Sequence, residues 1–123
     1  MLFRSEDYDL KDIVYTNKNK RYCFAGTDGT FIYGYKADNS IVIKYTIPSG
    51  IVVKDLTALM DYEDQYISFR DGNTNLIYLI DQTGKICKGF PTTGYGSTKD
   101  VATTRLEFIF KSGTNSFSLY QID

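Results

Sequence analysis

At 123 residues, with a net charge of −1 and a pI near 5.4, the chain is the size of one domain and carries no surplus of cations, which excludes nucleic acid as its main partner. Hydrophobic residues at 42% and charged residues at 24% exclude a disordered polymer, and no apolar run approaches the ~20 residues of a membrane-spanning helix. The complete absence of histidine removes serine–histidine and cysteine–histidine catalysis and the commonest metal ligand.

Eleven Tyr and eight Phe without Trp, together with frequent Ile, Val and Thr, suit pleated, half-buried strands. Residues 1–10 open with Met1-Leu2-Phe3, read as the tail of a strand from a preceding unit, followed by a connector. Met1 to Ser5 lacks the apolar stretch of a signal peptide.

Lys11-Asp12-Ile13 begins a first unit, about 11–47. Within it Phe31, Tyr33 and Tyr35 alternate with Ile32, Gly34 and Lys36, and Ile41, Ile43 and Tyr45 alternate with Val42, Lys44 and Thr46. A period of two gives each strand two distinct faces. Thr27-Asp28-Gly29-Thr30 and Ala37-Asp38-Asn39-Ser40 supply turns between the strands.

A second unit, about 54–91, reads as strands near 54–59, 65–70, 75–81 and 85–90, punctuated by Asp71-Gly72-Asn73-Thr74-Asn75 and Gln82-Thr83-Gly84-Lys85. Val53 to Tyr62 comes nearest to a helical period and is read as strand plus loop. Thr92-Thr93-Gly94-Tyr95-Gly96-Ser97 lacks the lysine and helix of a phosphate loop and reads as a flexible connector with Tyr95 exposed on it. A third unit, about 99–123, stops after its third strand.

The units repeat. Lys-Asp followed by a branched apolar residue recurs at Lys11, Lys54 and Lys99, 43 and 45 residues apart. Phe24 to Tyr33 lines up with Phe69 to Tyr78 and, with one extra residue in the turn, with Phe110 to Tyr120; Tyr78-Leu79-Ile80-Asp81 matches Tyr120-Gln121-Ile122-Asp123. Leu2 to Ile13, Tyr45 to Leu56 and Phe90 to Val101 each span twelve residues. Four-stranded antiparallel meanders repeating at this interval are the unit of a β-propeller. The expected fold class is therefore all-β: three consecutive four-stranded antiparallel blades of a β-propeller, a partial ring whose last blade lacks its fourth strand. Three blades do not close a ring, so Leu106 to Ile122 is expected to offer an open edge to the remaining propeller blades of a larger protein or to another copy of the chain.

The run Lys54-Asp55-Leu56, the acidic Asp61, Glu63 and Asp64, then Tyr66-Ile67-Ser68-Phe69, Ile77-Tyr78-Leu79-Ile80-Asp81, Gly84-Lys85 and Gly89-Phe90-Pro91 resembles the repeat of bacterial extracellular propellers of the FG-GAP/VCBS and quinoprotein-like (PQQ-like or WD40-like) type. It covers the second unit well and the outer two in part. The resemblance implies a periplasmic or extracellular setting and an interaction role rather than an activity. Related loops hold calcium through alternating aspartates and a glycine, but Asn17-Lys18-Asn19-Lys20 and Ala102-Thr103-Thr104-Arg105 replace that pattern here, so no metal is expected.

The expected function is a non-catalytic binding scaffold, the C-terminal part of a larger propeller protein, with no catalytic residue, no cofactor and no membrane insertion. Its partner is a protein or a glycan met by loops on one face, with Arg70, Asp71, Asn73 and Tyr95 as candidate contacts. A carbohydrate-binding propeller attached to a polysaccharide-processing enzyme is the alternative; a quinone- or metal-dependent enzyme lacks its tryptophans and ligand set. Lys11, Lys54 and Lys99 are candidates for a positive arc at a channel mouth, against the plainer reading of solvated lysines beside turn-capping aspartates. Cys23 and Cys87 fall on different strands of different units and read as buried thiols rather than a disulfide.

Overall fold

A computed structural model of the chain describes residues 12–18, 21–36, 38, 40–61, 64–100, 107–113 and 115–121. Among them there is no helix, and the strands form three antiparallel sheets. The first sheet is a meander of β1 (Asp12–Lys18), β2 (Arg21–Thr27), β3 (Phe31–Lys36) and β4 (Ile41–Thr46), each strand beside the one before it. The second runs through β5 (Val53–Asp61), β6 (Asp64–Asp71), β7 (Leu76–Ile80) and the two-residue β8 (Thr92–Thr93). The third holds β9 (Tyr95–Asp100), β10 (Glu107–Lys111) and β11 (Phe117–Gln121).

Two expectations for the second half of the chain are corrected. Residues 85–90 do not form a fourth strand: only Ile86 bridges back to Ile80, and Thr92 and Thr93 supply the edge by pairing with Ile77 and Leu76. Gly84 and Gly89 take left-handed φ values of 84° and 90°, and Pro91 has no N–H to give, so a regular ladder is broken at three points. Nor is 92–97 a flexible connector. Thr92 and Thr93 lie in β8, Tyr95 begins β9 opposite Lys111, and Gly94 between them is buried.

The sheets stack face on face, with β5 lying against β1 and β2 on one side and β9 on the other. Strand alternation decides which side chains meet. Leu56, Ala58, Met60, Ile67, Phe69 and Ile80 of the second sheet close over Cys23, Ala25, Ile32 and Ile43 of the first. From the opposite face of the same sheet, Leu59, Ile77 and Leu79 close over Phe110, flanked by Tyr66, Phe90 and Tyr120. The middle sheet is thus covered on both faces, and the charged residues of its strands, Lys54, Asp55, Asp61, Asp64, Arg70 and Asp71, stand at the strand ends.

Register changes between units by even steps. The aligned tyrosines Tyr33, Tyr78 and Tyr120 pair with Gly26, Phe69 and Phe108, which lie two residues after the aligned phenylalanine, on it, and two before it. A slip of two returns each side chain to its own face, whereas a slip of one would turn it over. The Tyr78 ring consequently lies straight across from Phe69, stacked at 4.9 Å and 9°. Odd residues are absorbed in bulges instead, as where β5 departs from register between Lys54 and Thr57.

Candidate ligand-binding surface

Four turns are built on the same device. The Asp28, Asp38, Asp71 and Asp81 carboxylates each accept the backbone N–H two residues on, from Thr30, Ser40, Asn73 and Thr83, at 2.9 Å in every case. This is the turn that aspartate side chains favour, and the signal was present in the sequence as an aspartate followed after one residue by Thr, Ser or Asn. Donated hydrogen bonds hold the carboxyls below the usual range: the N–H of Phe31 chiefly for Asp28, the Ser40 hydroxyl chiefly for Asp38, the N–H of Asn73 chiefly for Asp71. For Asp81, burial pulls upward and is outweighed by the Thr83 hydroxyl and the N–H groups of Lys85 and Thr83.

At one end of the second sheet the device becomes a platform. The Asp71 carboxylate is buried, accepting the N–H groups of Val52 and Asn73 and the Thr74 hydroxyl. Asn73 Nδ2 donates to Gly50 O at 2.7 Å, Gly72 N–H to Val52 O at 2.8 Å, and Gly94 N–H to Asn75 O at 2.9 Å. Three chain segments, 50–52, 71–75 and 94, are stitched together there.

Arg70 completes it. Its Nε donates to Asp55 Oδ2 and its Nη1 to Asn75 Oδ1, both at 2.8 Å. Asp55 and Asn75 are the two non-glycine residues with positive φ among those described, 53° and 59°. Left-handed backbone costs a residue with a Cβ roughly 1–3 kcal/mol, which local bonds must offset. One guanidinium therefore anchors the side chains of both strained positions.

The structure brings Arg70, Asp71 and Asn73 together at this end, with Tyr95 joined to them through the Gly94 to Asn75 bond. Each of the first three spends side-chain hydrogen bonds on holding the platform together. What faces outward is the rim: Gly72, Asn73, Thr74 and Tyr95, the last 42% exposed, beside Val52 at 43%. Val52 was missed in the sequence because nothing in its pattern distinguishes it from its neighbours Ile51 and Val53, both half-buried.

Lys54 lies at the same end, opposite Arg70, its stem crossing Gly72 closely enough that a Cβ there would sit 3.1 Å from Lys54 Cγ. Lys99 pairs with Ile109 in the third sheet, while Lys11 and the side chain of Lys99 fall outside the described residues. Asp12 of the first motif pairs with Thr27, and Asp100 of the third with Phe108. Of the acidic Asp61, Glu63 and Asp64, Glu63 and the Asp61 side chain fall outside the described residues, and among the rest no group of three His, Cys, Asp or Glu is spaced to hold a metal.

Both cysteines are free thiols. Cys23 is buried, with its Sγ 3.9 Å from Leu59 O. Burial, reinforced by the Asp81 carboxylate, pushes the Cys87 thiol up to about 11. At pH 8 roughly one thiol in a thousand is then ionised, against about a quarter for an ordinary thiol near 8.5. The greater nucleophilicity of the more basic thiolate returns about tenfold of that. Cys87 is expected to react with iodoacetamide roughly twentyfold more slowly than a free peptide thiol, followed by mass spectrometry; a rate equal to the peptide's would contradict this environment.

These features define an all-β chain of stacked antiparallel sheets whose most structured surface is a polar turn platform rimmed by Val52 and Tyr95. No protein-family model matches the sequence, and no curated protein or solved structure matches it either.

Proposed function

We propose that the chain is a non-catalytic binding scaffold built as consecutive propeller blades, which presents the 50–52, 71–75 and 94–95 platform to a protein or glycan partner. The observation that carries this reading is how the polar groups at the platform are employed. Arg70, Asp71 and Asn73 spend their hydrogen bonds on holding three segments in one shape, so the surface is rigid before any partner arrives. Preorganisation of this kind lowers the entropy cost of binding. The side-by-side first strands β1, β5 and β9 and the face-to-face sheets support the propeller arrangement.

Tyr95 favours a glycan as the second reading within the same class. A half-exposed ring at the start of a strand, beside a polar turn, suits stacking on a sugar face, where aromatic contacts are worth about 0.5–1.5 kcal/mol. On a glycan array the wild-type chain is expected to bind, and Tyr95→Ala to bind about three- to tenfold more weakly while keeping its unfolding midpoint. Binding that ignores both Tyr95→Ala and Val52→Ser would remove the platform from consideration, and turnover of any retained ligand by the purified chain would overturn the non-catalytic reading.

A further inference from the structure

We infer that the outward face of the third sheet is a docking surface for one more sheet of this same repeat, a partner that presents a Phe and a Tyr where the second sheet presents Phe69 and Tyr78. The inference rests on the repeat reading above and adds the location, the chemistry and the occupant of the missing contact.

In β11, Phe117 and Leu119 alternate with Ser118 and Tyr120. Tyr120 turns toward the second sheet, where it meets Phe110, Phe90 and the Leu59–Ile77–Leu79 cluster. Phe117 and Leu119 therefore turn away, at 69% and 58% exposure. Aligned on the tyrosines, Leu119 takes the position of Ile32 in the first sheet and Ile77 in the second. Those two are 0% and 1% exposed, because the next sheet lies on them. Ile109, directly across from Leu119, takes the position of Cys23 and Ser68, which are each 1% exposed, yet it is only half-buried. The third sheet thus carries the same apolar stripe that its predecessors bury, and the stripe is uncovered.

What covers the stripe in the two existing interfaces is an aromatic pair. Phe69 and Tyr78 lie on the first sheet, and Phe110 and Tyr120 lie on the second. A second copy of this chain does not have the complement free: in its first sheet the aligned pair is Phe24 and Tyr33, Phe24 half-buried and Tyr33 already buried at 4%. The occupant is accordingly a further repeat sheet and not a head-to-tail copy.

The test extends the chain. Asp123 aligns with Asp81, so a copy of residues 82–123 fused after Asp123 continues the repeat in register and sets new equivalents of Phe110 and Tyr120 against Leu119. The extended chain is expected to unfold in urea in one transition, at a higher midpoint than the original. Leu119→Lys should lower that midpoint in the extended chain and leave the original unchanged. As a second measurement, Leu119→Cys should label with iodoacetamide at least tenfold more slowly after extension.

An added segment that unfolds separately, or stays unfolded, with Leu119→Cys as reactive as before, would overturn the docking proposal. So would sedimentation showing that the original chain dimerises and that Leu119→Lys makes it a monomer, because the occupant would then be a second copy. The underlying repeat reading fails differently: Phe110→Ala would leave the original chain's midpoint unchanged.

Discussion

Phe69→Ala is expected to destabilise the chain by about 3–5 kcal/mol, read as a fall in the urea midpoint at constant slope. Phe69 is 1% exposed, stacks flat on Tyr78 at 4.9 Å and tilts against Tyr45 at 6.3 Å. Removing it deletes one ring of a three-ring cluster and leaves a cavity that the flanking strands cannot close, because their backbones are fixed by ladders on both sides of β6. Burial also pushes the Tyr45 hydroxyl's pKa upward, with Tyr78 adding to the effect. Since domains of this size have only ~5–15 kcal/mol in hand, the substitution removes a large part of the total. Phe117→Ala is the control: at 69% exposure it should move the midpoint by no more than about 0.5 kcal/mol. Equal effects at the two positions would mean that the sheets do not stack as described.

Gly94→Val is the second large effect, expected at about 3 kcal/mol, the upper end of overpacking costs. A Cβ on Gly94 would run into Ile77 Cδ1 and stand 3.0 Å from Phe110 Cδ2. Both neighbours belong to the cluster that joins the second and third sheets, and Ile77 is stiff at its branched carbon. Gly94 N–H also bonds Asn75 O, so the segment has no freedom to draw back without releasing the turn platform. Gly94→Ala should show a smaller loss of the same sign, and if Gly94→Val also weakens ligand binding more than Tyr95→Ala does, the platform and the sheet junction are coupled. A midpoint unchanged in both variants would contradict the close approach of Gly94 to Ile77.

The strand content and the antiparallel pairing were legible in the sequence because alternation and turn residues repeat in phase. Phe31 to Lys36 and Ile41 to Thr46 are strands as their periods require. The fourth strand of the second unit was misread because Lys85 to Phe90 has the apolar content of a strand, while its geometry is decided by Gly84, Gly89 and Pro91 around it. Gly94 was misread for the converse reason, whereas Tyr95 is exposed as expected but begins a strand. Glycine-rich composition suggested mobility, but the small residue is there to let Ile77 approach. Arg70, Asp71 and Asn73 were legible as turn-end residues and not as a stitched network, since the partners Asp55, Gly50 and Val52 lie 15 to 23 positions away in the chain.

The even steps in register have a consequence for how such a chain tolerates change in length. Adding or losing a pair of residues in a hairpin moves the tip without exchanging inside for outside, so the Phe–Tyr faces survive it. A single residue has to be lodged somewhere, and the kink at Asp55, where β5 leaves the ladder, lies where Arg70 already holds the Asp55 carboxylate. Length drift in this architecture is therefore cheap in twos, and in ones is taken up at bulges, of which the one in β5 is braced by a side chain.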